Sequence, residues 1–348
     1  MLRRRLCAES AKKRKHRILV LSDPRDSRTA RLERCLRKQQ EGDSTFDYLI
    51  GNDANSLREY AENADVILHS IFSGGDAKII EDIWSDARSI SLIHSFSAGV
   101  DGLVPILRKL EGIERVRVTN AKGAFDSSLA EWVLTSMLYF NKQIPRIVRN
   151  KEGKKWDRFT MGQLRNRTVG FVGFGSIAQR SAKLCRNLGM KIIALRRRPD
   201  APGSELADEV LSLDGDGKRG LFERSDFVVC ALPGTPSTAN FVDESCFSSM
   251  KKSGVFISIG RGTCVDEDAL IKALRAKSIL GAAIDVFQEE PLPQSSGLWD
   301  LGENLLLTPH NADLTDTYVE DSFDVFISNL NAHRSGKDFP TVDISTGY

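Results

Sequence analysis

The chain has 348 residues, 41% of them hydrophobic and 28% charged, with a formal net charge of +2. That length predicts about two domains with substantial cores; the composition is that of an ordinary soluble globular protein, and no apolar run approaches the roughly 18 residues of a membrane-spanning helix. The charge is uneven: residues 1 to 17 carry eight Lys/Arg and one Glu, a local +7, which leaves the remainder at −5.

The basic head, residues 1–16, lacks the apolar core of a secretory signal. It is expected to be a disordered, solvated tail on a cytoplasmic protein, with organelle targeting or a nucleic-acid patch as the competing readings. Cys7, Cys35, Cys185, Cys230, Cys246 and Cys264 form no CxxC pair and no zinc-like spacing with histidine. Reduced thiols and no metal are therefore expected. Cys264 lies near the candidate site and is read as a packing residue, the alternative being a reactive thiol.

From Arg17 onward, short apolar runs alternate with helical patterns. Ile18 to Leu21, Phe46 to Ile50, Val66 to Leu68, Ile90 to His94 and Val116 to Thr119 read as strands, with helices at Ser27 to Arg37, Ser56 to Ala61 and Ala77 to Trp84. This alternation predicts a parallel sheet covered by helices, because parallel strands need long crossovers. Ala124 to Lys142 is a long helical pattern whose large apolar residues, Trp132 to Phe140, suit packing between domains or subunits. Pro145 interrupts it, and the polar stretch Lys151 to Arg158 leads to the next strand.

Thr168 to Ala178 reads T-V-G-F-V-G-F-G-S-I-A, a buried strand, a tight glycine turn and a helix start. In a dinucleotide-binding unit Gly173 makes the turn, Gly175 lets the backbone approach a pyrophosphate, and Ala178 meets the need for a small residue at the helix–strand contact. Ser176 and Ile177 then present N–H groups at the positive end of the helix dipole. The competing reading is a glycine turn without a ligand. Further strands at Ile192 to Leu195, Phe227 to Leu232, Val255 to Ile259, Ala282 to Val286 and Leu305 to Thr308 bring the total to six, the expected full dinucleotide sheet. Helices fit at Ser176 to Leu188, Asp243 to Met250 and Asp266 to Ala276, and Thr315 to His333 reads as a helix returning to the first domain.

Ligands of open α/β sheets bind beyond the carboxyl ends of the strands. The residues there are Gly173 to Ile177, Arg196, Leu232-Pro233, Gly260-Arg261-Gly262, Asp285 with Glu289-Glu290, and Pro309-His310. An Arg, an acid and a His in one crevice can bind a carboxylate, polarise a carbonyl and move a proton. The strand ending at Leu195 runs into Arg196-Arg197-Arg198 with no acid, whereas NAD sites keep a carboxylate near this point for the ribose hydroxyls. Arginines attract the 2′-phosphate instead, which predicts NADPH as cofactor; NADH is the alternative if the cluster is a solvated charge run.

From about Ser95 to the C-terminus the sequence resembles the D-isomer-specific 2-hydroxyacid dehydrogenases, and their glyoxylate/hydroxypyruvate reductase branch in particular. The resemblance lies in S-F-S-A-G-V-D at 95–101, A-E-W-V-L at 130–134, the glycine motif, A-L-P-G-T-P-S-T at 231–238, I-G-R-G-T-C-V-D at 259–266, A-I-D-V-F-Q-E-E-P-L-P at 283–293 and L-T-P-H-N-A at 307–312. It implies an α/β fold of two doubly wound parallel-sheet domains. A Rossmann nucleotide-binding domain, residues 120–311, is inserted into a flavodoxin-like substrate domain, residues 17–119 and 312–348.

The resemblance further implies His310 as general acid paired with Glu290, Arg261 as anchor of a 2-oxo acid, and Asp285 as a contact of the nicotinamide carboxamide. Cofactor contacts are implied for Gly173, Gly175, Ser176, Ile177, Arg196, Arg197, Leu232, Pro233, Thr238, Ile259, Arg261, Asp285 and His310. Substrate contacts are implied for the backbone of Ser97, Ala98, Gly99 and Val100 and for Arg261 and His310. Ser258 stands where many members have Asn, and Ala178 replaces the third Gly; neither change removes a catalytic group. The reaction implied is NADPH-dependent reduction of glyoxylate or hydroxypyruvate to a D-2-hydroxy acid by a homodimer without membrane or nucleic-acid partners. The alternatives are a nucleotide-sensing interaction protein on the same fold, like the C-terminal-binding-protein corepressors, and a 2-hydroxyacid dehydrogenase that uses NAD.

Overall fold

The computed structural model describes residues 15–70, 77–213 and 216–347; Cys7 and the basic head before Lys15 lie outside these residues. Two units make up the chain, one of Met1–Ala124 and Asp316–Tyr348, the other of Phe125–Thr315. The junctions thus fall at Ala124 and Thr315, slightly beyond the expected 119 and 311.

The first unit runs β1 (His16–Leu21), α1 (Ser27–Gly42), β2 (Phe46–Gly51), α2 (Ala54–Ala61), β3 (Val66–His69), α3 (Lys78–Ile83), β4 (Leu92–Ser95), α4 (Val104–Leu107) and β5 (Arg117–Asn120). All strand pairs are parallel in the order β2-β1-β3-β4-β5, the flavodoxin-like order. Helices cover both faces of such a sheet, so β3 and β4 are buried at every position, including the polar His69, His94 and Ser95 at their carboxyl ends. Helix starts are fixed by acids: Asp26 accepts the Arg28 N–H at 2.7 Å and Asp53 the Ser56 N–H at 2.9 Å, satisfying donors that have no partner within the helix.

The second unit runs α5 (Asp126–Asn141), α6 (Ile144–Glu152), β6 (Thr168–Val172), α7 (Ser176–Asn187), β7 (Lys191–Leu195), β8 (Glu209–Leu211), α8 (Gly217–Arg224), β9 (Phe227–Cys230), α9 (Glu244–Ser249), β10 (Val255–Ser258), α10 (Glu267–Arg275), β11 (Gly281–Ile284) and β12 (Leu305–Leu307). The chain returns to the first unit in α11 (Tyr318–Arg334), where Phe326 packs its ring 5.3 Å from that of the buried His94. The sheet order is β12-β11-β10-β9-β6-β7-β8, all parallel, with the strand order reversing between β6 and β9. There are seven strands rather than the six expected. The addition, β8, is three residues at the edge beside β7, too short and too exposed to carry a periodic signal. Pro145 does not merely end a helix but opens α6, in whose first turn a missing N–H costs nothing.

The ladder continues one residue past the strands. Gly173 N–H donates to Leu195 O at 3.0 Å, Ala231 to Val172 at 2.9 Å, Ile259 to Cys230 at 3.1 Å, Asp285 to Ser258 at 3.1 Å and Thr308 to Ile284 at 3.0 Å. Five loops therefore leave one edge of one sheet side by side, on both sides of the order reversal where open α/β sheets bind ligands. Among the described residues no helix is long and apolar enough to cross a membrane.

Candidate active site

Gly173 has φ +85°, a conformation that side-chain-bearing residues rarely adopt. A Cβ there would also stand 3.1 Å from Ala231 O and 3.0 Å from the Leu232 side chain. Gly175 caps α7 without a side chain, so no side-chain acceptor occupies the helix N-terminus, and Ala178 is fully buried as its packing role requires. Ser176 Oγ is held by Asp126 Oδ1 at 3.0 Å, from the first turn of α5. Gly260 faces the same place: its Cβ would meet Leu232 O at 2.3 Å. Thr238 closes the next loop, its Oγ1 donating to Pro233 O at 2.6 Å. A backbone cradle that side chains would fill, beneath an uncapped helix end, fits the pyrophosphate of a dinucleotide.

The three arginines after β7 differ in ways their sequence does not reveal. Arg196 turns back into its own loop, Nη1 donating to Ala201 O at 3.1 Å, Pro202 O at 3.3 Å and Ser204 Oγ at 2.8 Å. Gln179 of α7 fastens that loop to the glycine turn, donating to Phe174 O at 3.1 Å and Pro202 O at 3.4 Å. Arg197 and Arg198 are exposed, and their side chains have no partner among the described residues.

Arg261 sits between two glycines, and its Nη1 donates to Gly260 O at 2.9 Å. Gly262 is obligatory, since a Cβ there would lie 2.0 Å from Phe287 O. Of the residues around it, Ile259 is 4% exposed, so its backbone rather than its side chain faces any ligand. Ser258 is 1% exposed and its Oγ has no hydrogen-bond partner among the described residues. Cys264 is fully buried, with its Sγ 3.2 Å from Pro233 O, and burial pushes its thiol pKa up; it is a packing residue.

His310 follows β12 in a turn with φ +48°. Its Nδ1 lies 2.6 Å from Glu290 Oε2, while Glu290 Oε1 accepts the Phe287 N–H at 2.8 Å. The turn itself is held by Asp285, which is 1% exposed. Asp285 Oδ1 accepts from Thr308 Oγ1 at 2.6 Å and from the Asn311 N–H at 3.1 Å, and Oδ2 accepts the Ala312 N–H at 3.2 Å. Burial pushes the Asp285 carboxyl pKa up, and these three donors oppose that shift. From the other side Ser128 Oγ of α5 donates to Ala312 O at 2.5 Å. Glu289 is exposed, as a solvated neighbour should be.

The loop Ser97 to Val100 belongs to the first unit. Asn120 Nδ2 donates to Ala98 O at 2.6 Å and the Gly99 N–H donates to Ser97 Oγ at 3.2 Å. The Ala98 and Val100 N–H groups have no partner among the described residues. Sequence reading missed Asp126, Ser128, Gln179 and Thr308, whose partners are fixed by loop paths rather than by motif spacing.

Residues 134–312 match the model of the "D-isomer specific 2-hydroxyacid dehydrogenase, NAD binding domain" family. The chain is similar to the glyoxylate/hydroxypyruvate reductase A of Arabidopsis thaliana, with 31% identity over 84% of this chain and 87% of the relative. The D-3-phosphoglycerate dehydrogenase of Methanocaldococcus jannaschii is 31% identical over 75% of this chain but only 48% of its own length, so the chain spans about half of that relative. Among solved structures, a D-isomer specific 2-hydroxyacid dehydrogenase from Xanthobacter autotrophicus, in complex with NADPH, is 25% identical with a TM-score of 0.76, over 96% of this chain and 100% of that one. The fold, the cradle and these likenesses lead to one conclusion: the chain belongs to the D-isomer-specific 2-hydroxyacid dehydrogenases.

Proposed function

We propose that the protein reduces small 2-oxo acids, glyoxylate and hydroxypyruvate foremost, to D-2-hydroxy acids with NADPH. The observation that carries this reading is the His310–Glu290 pair, 2.6 Å apart, on the same sheet edge as Arg261 and the glycine turn. Glu290 holds Nδ1, which leaves Nε2 of His310 to donate a proton to the substrate carbonyl oxygen. Arg261 offers a planar fork to the carboxylate and carbonyl oxygens. In the first unit, the Ala98 and Val100 N–H groups are suited to receive a carboxylate, with Gly99 permitting close backbone approach. When bound, a reduced nicotinamide supplies the hydride that adds to C2.

NADPH is favoured by the absence of an acid from Arg196 to Pro199, directly after β7, and by the exposed guanidinium groups of Arg197 and Arg198. Arg196 serves the same end by closing the loop that carries them. Asp285 acts on the His310 turn, and the family resemblance gives it the nicotinamide carboxamide as well. The homodimer forms through α6 and the segment after it, where no α6 residue is buried and Ile147, Val148, Trp156 and Met161 are 37%, 48%, 94% and 43% exposed. The α5 residues from Trp132 to Phe140 suit this contact less, because Val133, Ser136, Met137 and Phe140 are buried within the unit. Sedimentation of the protein and of a Trp156→Glu variant tests the dimer: a dimer that becomes monomeric supports it, and a wild-type monomer contradicts it. Steady-state assays of glyoxylate, hydroxypyruvate, pyruvate and longer 2-oxo acids with NADPH and NADH test the activity. Turnover confined to NADH sinks the cofactor choice, and no turnover sinks the reaction.

A further inference from the structure

One acid near the candidate site, Asp313, belongs neither to the His310–Glu290 pair nor to the Asp285 brace. Asp313 lies three residues beyond His310 in the turn that Asp285 pins at Asn311 and Ala312. Its backbone is fixed on both sides: Leu314 N–H donates to Asn311 O at 3.1 Å, Thr315 N–H to Asp313 O at 3.0 Å, and Ser128 to Ala312 O at 2.5 Å. The side chain is half-buried, and its carboxylate has no ion pair among the described residues and no hydrogen-bond donor except its own backbone N–H. The other two acids are satisfied, Glu290 by His310 and the Phe287 N–H, Asp285 by three donors.

The charges within reach of Asp313 are His310 and Arg261, which attract it, and Asp285, which repels it. Partial burial is the largest cause and pushes its carboxyl pKa up, as for an acid that has lost part of its water without gaining a partner. An unpaired, desolvated carboxylate is costly to keep, and this one lies near the two side chains read as substrate contacts.

We propose that Asp313 sets the substrate class of the site, admitting 2-oxo monocarboxylates whose 2-substituent is neutral, hydrogen-bond-donating or cationic and excluding 2-oxo dicarboxylates. The inference rests on the reading of His310 and Arg261 as the substrate contacts. A substrate between those residues places its first carboxylate on the Arg261 guanidinium. A second carboxylate then enters the field of Asp313 in a partly water-excluded place, where like-charge repulsion is screened less than in bulk solvent. A hydroxyl or ammonium at the same position offers the donor that Asp313 lacks.

The test compares 2-oxopentanoate with 2-oxoglutarate, equal in chain length and different by one carboxylate, in the wild type, Asp313→Asn and Asp313→Glu with NADPH. The wild type and Asp313→Glu are expected to favour the monocarboxylate strongly in kcat/KM. In Asp313→Asn the ratio closes by at least about tenfold, chiefly through a lower KM for 2-oxoglutarate. An unchanged ratio in folded Asp313→Asn overturns the inference while leaving the reductase reading intact, as does a wild type that shows no preference. No turnover of any 2-oxo acid by the wild type removes both. Thermal melts establish folding, and Asp313→Ser serves if the Asn variant does not fold; if neither folds, the carboxylate is structural and the inference fails.

Discussion

Glu290 holds His310 with one carboxylate oxygen and the backbone of its own loop with the other, Oε2 standing 2.6 Å from Nδ1 and Oε1 2.8 Å from the Phe287 nitrogen. Orientation and charge are therefore delivered by one side chain, and they can be separated. Glu290→Gln keeps an oxygen opposite the imidazole but removes the charge of the pair. kcat/KM for reduction should fall by at least about tenfold while NADPH binding is retained. An unchanged kcat/KM counts against the pairing.

Asp285 braces the same turn from inside, with a carboxylate that accepts from Thr308, Asn311 and Ala312. Asp285→Asn leaves one oxygen where two served, so a buried backbone N–H loses its acceptor at a cost of about 1–3 kcal/mol. The melting temperature should fall by several degrees, at about 2–4 °C per kcal/mol for a domain of this size. kcat/KM should fall with it, because the His310 backbone is released. A melt matching the wild type would show that the turn is held by other contacts.

On the proposed reading, the arginines after β7 divide the work of cofactor choice. Arg197→Ala and Arg198→Ala should raise the KM for NADPH by about tenfold, with NADH unaffected, because a charge-assisted contact to the 2′-phosphate is all that is lost. Arg196→Ala and Gln179→Ala should instead weaken both cofactors, since they undo the hydrogen bonds that hold the loop to Ser204 and to the glycine turn. An effect of Arg196→Ala on NADPH alone would reverse this division.

His94 predicts how stability depends on pH. It is fully buried, and burial lowers its pKa from 6.5 to about 3. The unfolded chain takes up a proton below about pH 6.5 that the native state refuses, so stability is intact above that value and is lost as pH falls toward 3, by at most about 1.4 kcal/mol per unit. Its Nδ1 is 2.8 Å from Thr119 Oγ1 and its Nε2 has no hydrogen-bond partner among the described residues. His94→Gln should flatten the dependence of the melting temperature on pH between about 6 and 4; an equally steep variant assigns the dependence to other groups.

Much of the architecture is legible in the sequence because buried parallel strands carry short apolar runs, Val66–Leu68 in β3, Leu92–Ile93 in β4 and all of β9, separated by helical patterns. β8 is not legible, since three half-exposed residues at an edge have no period to detect. In the candidate site, Arg261, Glu290 and His310 stand in motifs just beyond strands, and that position together with the family resemblance makes them candidates. The division among Arg196, Arg197 and Arg198 is hidden, because three identical neighbours differ only through the path of the loop they begin. Asp313 is hidden for a related reason: its environment is set by Arg261 and Asp285, distant in sequence and adjacent only through the sheet edge.

The central claim is that His310 donates the proton in reduction of a 2-oxo acid. It is tested most directly by NADPH oxidation with hydroxypyruvate, measured for the wild type and His310→Ala alongside NADPH titration by fluorescence. The account predicts that the variant binds NADPH as the wild type does while kcat/KM falls by at least about 10²-fold. Equal turnover in the two proteins would contradict it.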